Sequence, residues 1–141
     1  MFIEKLAKFL KEKNIIKLPA WTAHIKSAHS NEISPLDPDF MYTKAAAIAR
    51  MLYVSKKKCI GVGTLRSRFG KKQRRGVQPP IFSRASGKII REILKQFESV
   101  KYVEKLSSDP DEPQKYVGRT LSSEGVQQLD KIAAGIVKGN K

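Results

Sequence analysis

From Phe40 to Val54 the chain reads F-M-Y-T-K-A-A-A-I-A-R-M-L-Y-V, in which only Thr43, Lys44 and Arg50 are polar. Met41, Ala45, Ile48, Ala49 and Leu52 recur along one helical face, and Tyr42, Ala46 and Tyr53 along a second. A helix apolar almost all round must be covered by neighbours on several sides. It is also too short to span a bilayer. Its alanines let other elements approach closely, and its start is well marked. Asp37 fits the N-cap, Pro38 the first helical position, and Asp39 the positive end of the dipole. The pattern predicts a central helix around which the rest of the chain is built.

Phe2, Ile3, Leu6, Phe9 and Leu10 stand opposite Lys5, Lys8 and Lys11 to Lys13. They predict a first amphipathic helix ending near Asn14. Pro19 opens a short helix through Ser27, with Trp21 as a core residue, and Asn31 to Asp37 reads as a loop. After the central helix, Ser55 to Lys58 reads as a basic turn. Thr64 to Phe69 reads as one or two helical turns capped by Thr64. Lys71 to Arg75, Gly76 and Pro79-Pro80 read as a loop, with Phe69 and Phe82 at its flanks, placed to pack beneath it or to stack on a base. Ser83 fits the cap of a helix that buries Ile89, Ile90, Ile93, Leu94 and Phe97. Val100 to Leu106 and Lys115 to Leu121 predict a hairpin with a long tip, Ser107 to Gln114. Ser122 or Ser123 caps a last helix carrying Val126, Leu129, Ile132, Ala133 and Ile136, followed by a basic tail, Lys138 to Lys141. The expectation is one domain, 1–141, mainly α, with one β-hairpin.

Charge then changes the picture. The net charge is +15 over 141 residues, which calls for a polyanionic partner, nucleic acid before an anionic membrane surface. The excess sits in one block, because Phe40 to Arg91 contains no Asp or Glu. That window holds Lys44, Arg50, Lys56, Lys57, Lys58, Arg66, Arg68, Lys71, Lys72, Arg74, Arg75, Arg84, Lys88 and Arg91, 14 of the 28 cations. The remaining residues carry 14 cations against 13 acids and nearly cancel. A block this self-repelling needs counter-charge from outside. Several of the cations are arginines set among glycines and serines, and the planar guanidinium meets phosphate with two hydrogen bonds. Arg84-Ala85-Ser86 opens a helix, whose free N–H groups also favour phosphate.

Other chemistries find little to stand on. No carboxylate pair, nucleophile motif or metal-ligand spacing is present, and His24 and His29 read as surface or core residues. The single cysteine, Cys59, reads as a small buried residue and excludes an internal disulfide framework. Gly61-x-Gly63 lacks the third glycine of a nucleotide fingerprint. No catalytic residue, cofactor, metal or small-molecule substrate is expected. The amphipathic start is not a secretory signal, and no apolar run is long enough for a membrane span.

The strings F-M-Y-T-K-A-A-A-I-A-R-M-L-Y, G-V-G and F-G-K-K-Q-R-R-G-V-Q-P-P-I-F-S-R-A-S, with L-P-A-W before them and L-S-S-E-G-V-Q-Q-L-D-K-I-A after, resemble the nineteen-e family of small-subunit ribosomal proteins. The resemblance covers essentially the whole chain. It implies a winged-helix-like helical bundle around a central amphipathic helix, with a β-hairpin. It also implies a structural, non-enzymatic protein that binds ribosomal RNA in the head of the small subunit. Support of pre-rRNA processing and subunit assembly follows, with neighbouring ribosomal proteins as partners and the cytoplasmic ribosome as the location. In a eukaryotic source, assembly would take place in the nucleus or nucleolus. The family's patterns fall on Lys44, Arg50, Gln73, Arg74, Arg84, Ser86, Lys88 and Arg91. With the charge block they give an RNA-binding set completed by Lys57, Lys58, Arg66, Arg68, Lys71, Lys72 and Arg75. The acidic hairpin tip, Asp109 to Pro113, is not part of it. Winged helices also bind DNA, so a DNA-binding or chromatin-associated protein is the alternative. Against it, a DNA reader concentrates its cations on one recognition helix, whereas this chain spreads them over loops, which suits irregular RNA.

Overall fold

The computed structural model describes residues 1–55, 59–107 and 116–138. In chain order these form α1 (Phe2–Glu12), a 3-10 turn (Ala20–His24), α2 (Phe40–Val54), α3 (Val62–Arg68), β1 (Lys71–Arg75), β2 (Gln78–Ser83), α4 (Gly87–Ser99), β3 (Val103–Ser107), β4 (Tyr116–Leu121) and α5 (Ser123–Lys138). Lys56 to Lys58, the acidic hairpin tip and the last three residues of the basic tail lie outside the described residues.

The central helix is α2, with the boundaries its hydrophobic run predicts. Met41, Ala45 and Ile48 are 0% exposed, and so is Ala46, about 100° round the helix from Ala45. The burial therefore spans more than one face. The N-cap falls on Asp39 instead of Asp37, without a side-chain capping bond, and Pro38 stands before the helix in a turn where Asp37 Oδ1 accepts the Asp39 N–H at 2.9 Å. Tyr53 departs from the expected second apolar face. It lies at the rim, 43% exposed, and its hydroxyl donates to Asp130 Oδ1 on α5 at 2.7 Å.

Around α2 the core takes Leu6 and Leu10 from α1, Leu65 from α3, and Ile89, Ile90, Ile93, Leu94 and Phe97 from α4. Burying each such side chain is worth about 1.5–3 kcal/mol. Helix α1 ends where Asn14 takes φ +50°, so that the Ile15 N–H reaches back to the Leu10 carbonyl. Asparagine is one of the few residues that tolerates this left-handed cap. α4 ends the same way, with Lys101 at φ +61° and the Tyr102 N–H on the Phe97 carbonyl. α5 packs more shallowly. Of its expected core residues only Leu129 is buried, while Val126, Ile132, Ala133 and Ile136 are half-buried against its neighbours. Ser122 begins α5, its Oγ accepting the Gly125 N–H at 3.1 Å.

β3 and β4 form the expected antiparallel hairpin. On the other edge of β4, Ile60 exchanges two backbone hydrogen bonds with Arg119, at 2.9 and 3.0 Å. The order α2, a single bridging residue at Ile60, α3, α4, then a β-hairpin whose second strand pairs with that residue, is a winged-helix-like arrangement. The fold is mainly α and winged-helix-like.

The segment read as a loop, Lys71 to Pro80, is a second antiparallel hairpin, β1–β2, inserted between α3 and α4. Gly76 makes its two-residue turn possible with φ +68°, a conformation that costs glycine nothing. Pro79 and Pro80 lie in β2, where they cannot donate to a further strand, so the two-stranded sheet stays solitary. Because β2 runs through Ser83, the cap of α4 falls on Ser86 instead, and α3 starts after Gly61 rather than at Thr64. Trp21 is half-buried and packs against the core. Cys59, expected to be buried, is half-buried.

Candidate nucleic-acid interface

Hairpin β1–β2 carries the densest charge. Lys71, Lys72, Arg74 and Arg75 are all exposed, as is nearly all of β2. A strand K-K-Q-R-R has no apolar face to bury, so the hairpin projects into solvent, tied down at its root. There Gln73 Oε1 lies 3.1 Å from His29 Nδ1. Gly70 lets Phe82 lie across it, where any β-carbon would come within 2.4 Å of the ring. Phe82 is thus packed on one side, yet 58% exposed. Arg75 has a second duty, since its Nε and Nη2 donate to the Pro79 carbonyl at 3.0 and 2.7 Å and close the hairpin end.

Lys44 on α2 stands beside that root. Its Nζ lies 4.7 Å from the centre of the Phe69 ring, a cation–π contact. The side chain is half-buried. Burial, and after it the charge of Lys71, hold the ammonium below the usual lysine value. Lys44 is therefore held on the Phe69 ring beside the hairpin root and offers less of an open contact than the strand cations.

A second group gathers at the start of α4. An open groove of about 460 Å³ is lined by Lys26, His29, Arg66, Arg84, Ser86 and Lys88, among others. Arg66 comes from α3. Its Nε donates to the Ala85 carbonyl at 3.0 Å, and its own carbonyl accepts the Ala85 N–H. It crosses Gly87, where a β-carbon would lie 3.2 Å from Arg66 Cδ and 2.8 Å from an Arg91 guanidinium nitrogen. Gly87 is thus what lets two arginines converge over the first turn of α4. Lys88 lies with Nζ 4.6 Å from the centre of the Trp21 ring, which steadies it without neutralising it. A second groove, of about 490 Å³, joins Arg50 of α2 to Arg68 of α3 over Met51, Val54 and Ile60.

The structure thus brings together Lys44, Arg66, Lys71, Lys72, Gln73, Arg74, Arg75, Arg84, Ser86, Lys88 and Arg91 on and around the hairpin and the start of α4. Arg50 and Arg68 stand at a groove of their own, and Lys57 and Lys58 lie outside the described residues. Lys26 and His29 were not singled out from the sequence. They reach the site because the segment before α2 runs beside α4, through the Ala28–Ala85 bridge and the Ser86 N–H on the Ser27 carbonyl. Ion pairs between described residues fall elsewhere: Met1–Glu4, Lys11–Asp39, and Glu98 with both Lys105 and Arg119. Among the described residues no group of three or more His, Cys, Asp or Glu is placed to hold a metal ion. No described helix is long and apolar enough to cross a membrane.

Comparison with known proteins gives one family. The family described as Ribosomal protein S19e matches residues 1–139. The small ribosomal subunit protein eS19 of Argopecten irradians is 39% identical over 140 residues, 99% of this chain and 90% of that protein. The corresponding eS19G of Ascaris suum is 40% identical over 132 residues, 94% of this chain and 83% of its own. The eS19 of Oryza sativa subsp. japonica is 36% identical over 135 residues, 96% and 86% of the two chains.

Proposed function

The chain belongs to the ribosomal protein S19e family, and from that membership we propose that it is a structural constituent of the small ribosomal subunit that binds ribosomal RNA in the subunit head. The observation that carries the reading is the exposed, acid-free hairpin β1–β2 standing beside the cation-lined groove at the start of α4. Cations held this close repel one another. A run of RNA phosphates supplies their counter-charge and releases condensed counterions on binding. Backbone contacts of this kind fix position and orientation. By holding strands that are distant in sequence against one rigid body, the protein supports pre-rRNA processing and assembly of the subunit. Its place is the cytoplasmic ribosome, with assembly in the nucleus or nucleolus of a eukaryotic source. Neighbouring small-subunit proteins contact it there.

The geometry favours RNA over a DNA major groove. In a DNA-reading winged helix, the helix placed as α4 is here enters the groove. One stripe of α4, Lys88 to Gln96, is overlaid by the segment before α2. Gln96 accepts the Lys17 N–H at 2.8 Å and donates to the Lys17 carbonyl at 2.9 Å, and Trp21 lies against Lys88. The remaining cations stand on separate elements, an arrangement that fits an irregular RNA surface.

Crosslinking of the protein to RNA in cells, with sequencing of the attached fragments, tests the reading. Tags concentrated in small-subunit ribosomal RNA are expected. Tags spread over messenger RNA, or recovery on chromatin instead of ribosomal subunits, would refute it.

A further inference from the structure

We propose that the groove between the loop 30–36 and strand β1 receives a single unpaired nucleotide extruded from the bound RNA. This rests on the RNA reading above and specifies what that site recognises. The groove has a volume of about 500 Å³, within the range of pockets that hold one small molecule.

Its walls offer the three chemistries a nucleotide needs. Lys71, Lys72 and Arg74 supply positive charge for the phosphate, against Glu32 as the one acid among the described lining residues. Ile33 and Leu36 supply an apolar face for a base, and they are 64% and 90% exposed in the free protein. Ser30 and Asn31 also line the groove, and Ser30 Oγ and Asn31 Oδ1 are buried without a hydrogen-bond partner. The Asn31 amide nitrogen already donates to Ser27 Oγ at 2.6 Å, which leaves Oδ1 as the atom in want of a donor. Buried oxygens of this kind carry a cost until a partner arrives. The N–H-bearing edge of a base entering between loop and strand provides one. Paired RNA keeps those edges in the duplex and offers the protein mainly backbone, whereas bulged and looped nucleotides expose them. A protein side chain is the weaker occupant, because an apolar one leaves the three cations unneutralised and an acidic one leaves Ile33 and Leu36 uncovered.

The test compares the full chain binding to a fully paired RNA hairpin and to the same hairpin with one bulged nucleotide, by fluorescence anisotropy. The bulged RNA is expected to bind about five- to tenfold tighter, the range of one hydrogen bond to a buried group. Asn31→Ala and Leu36→Ser are each expected to abolish that preference and leave affinity for the paired RNA unchanged. Leu36→Ser alters a side chain in open solvent, so it reports on the groove even if Asn31→Ala disturbs the loop. Equal affinity of the parent protein for both RNAs, or a preference that survives both substitutions, overturns the proposal. So does a Leu36→Ser variant that keeps the preference but no longer co-sediments with small subunits, since the groove then holds a neighbouring protein. Absence of binding to either RNA would instead strike at the RNA reading itself.

Discussion

Replacing Lys71, Lys72 and Arg74 together with alanine separates binding from folding. All three are exposed on β1 and none joins the ion pairs formed among the described residues. Surface changes of this type usually stay within about 0.5 kcal/mol each. Here part of that is gained back as self-repulsion is relieved. Arg75 is left in place because its bonds to the Pro79 carbonyl close the hairpin. Each phosphate contact contributes about 0.7–0.9 to the slope of log affinity against log salt. Losing three contacts should therefore flatten the slope by about 2–2.7. Anisotropy titrations with a small-subunit RNA fragment at several KCl concentrations measure the slope, and calorimetric melting follows the fold. A slope equal to that of the parent, in a variant that melts normally, would place the contacts elsewhere. A collapse in melting temperature would mean that the hairpin is structural and that its charges were misread.

Ala49→Glu puts an unpaired charge on the buried face of α2, where Ala49 is 4% exposed. It should cost several kcal/mol and unfold the domain, as circular dichroism will show. Lys101→Gly relieves a left-handed residue at the end of α4 and should stabilise by about 1 kcal/mol in urea unfolding. Burial acts to raise the carboxyl pKa of Glu98, but hydrogen bonds from Arg119 and Lys105 outweigh it and hold the value below the usual range. Its contribution is therefore present above the ordinary glutamate value of about 4.3 and is lost as pH falls through and below it. Glu98→Gln should lower the melting temperature at neutral pH and remove that part of the acid sensitivity, so an unchanged acid profile would count against the network.

What was legible in the sequence followed burial. α1, α2 and α4 each place apolar residues on a face that reaches the core, so their 3.6-residue period is written in residue type. The β3–β4 hairpin was found on a weak alternation because Val103 enters the core. Hairpin β1–β2 was missed because neither of its faces is buried. K-K-Q-R-R has no apolar alternation to read, and Pro79-Pro80 signals a loop even though it serves here to block a strand edge. That error moved the expected cap of α4 from Ser86 to Ser83. The candidate site was legible as a count of charges and not as a shape. The acid-free window named the cations. It gave no sign that Lys44 would be half-buried under Phe69, that Arg66 would be pinned to the Ala85 carbonyl, or that Lys26 and His29 would join them from before α2. Those placements depend on backbone pairing between residues far apart in the chain, which no local pattern records.

The separation of charges explains how a chain of net charge +15 keeps one fold. Most acids lie outside the hairpin and the α4 groove, and several are spent on joining elements. Glu98 ties α4 to β3 and β4, Asp39 ties α2 to Lys11 of α1, and Asp130 holds Tyr53. The body keeps cations of its own, Lys44 and Arg50 on α2 and Arg66 and Arg68 on α3, while these ion pairs join its elements to one another. The densest cations stand on an inserted hairpin and at the start of one helix, where repulsion between them strains few core contacts. Had the same cations been scattered over α2 or the buried face of α4, each would have paid a desolvation penalty that no distant phosphate could relieve. Lys44 shows the beginning of that penalty in its depressed pKa. Placing most of the block outside the core leaves it exposed at no great cost to folding, which is the arrangement that the proposed RNA partner requires.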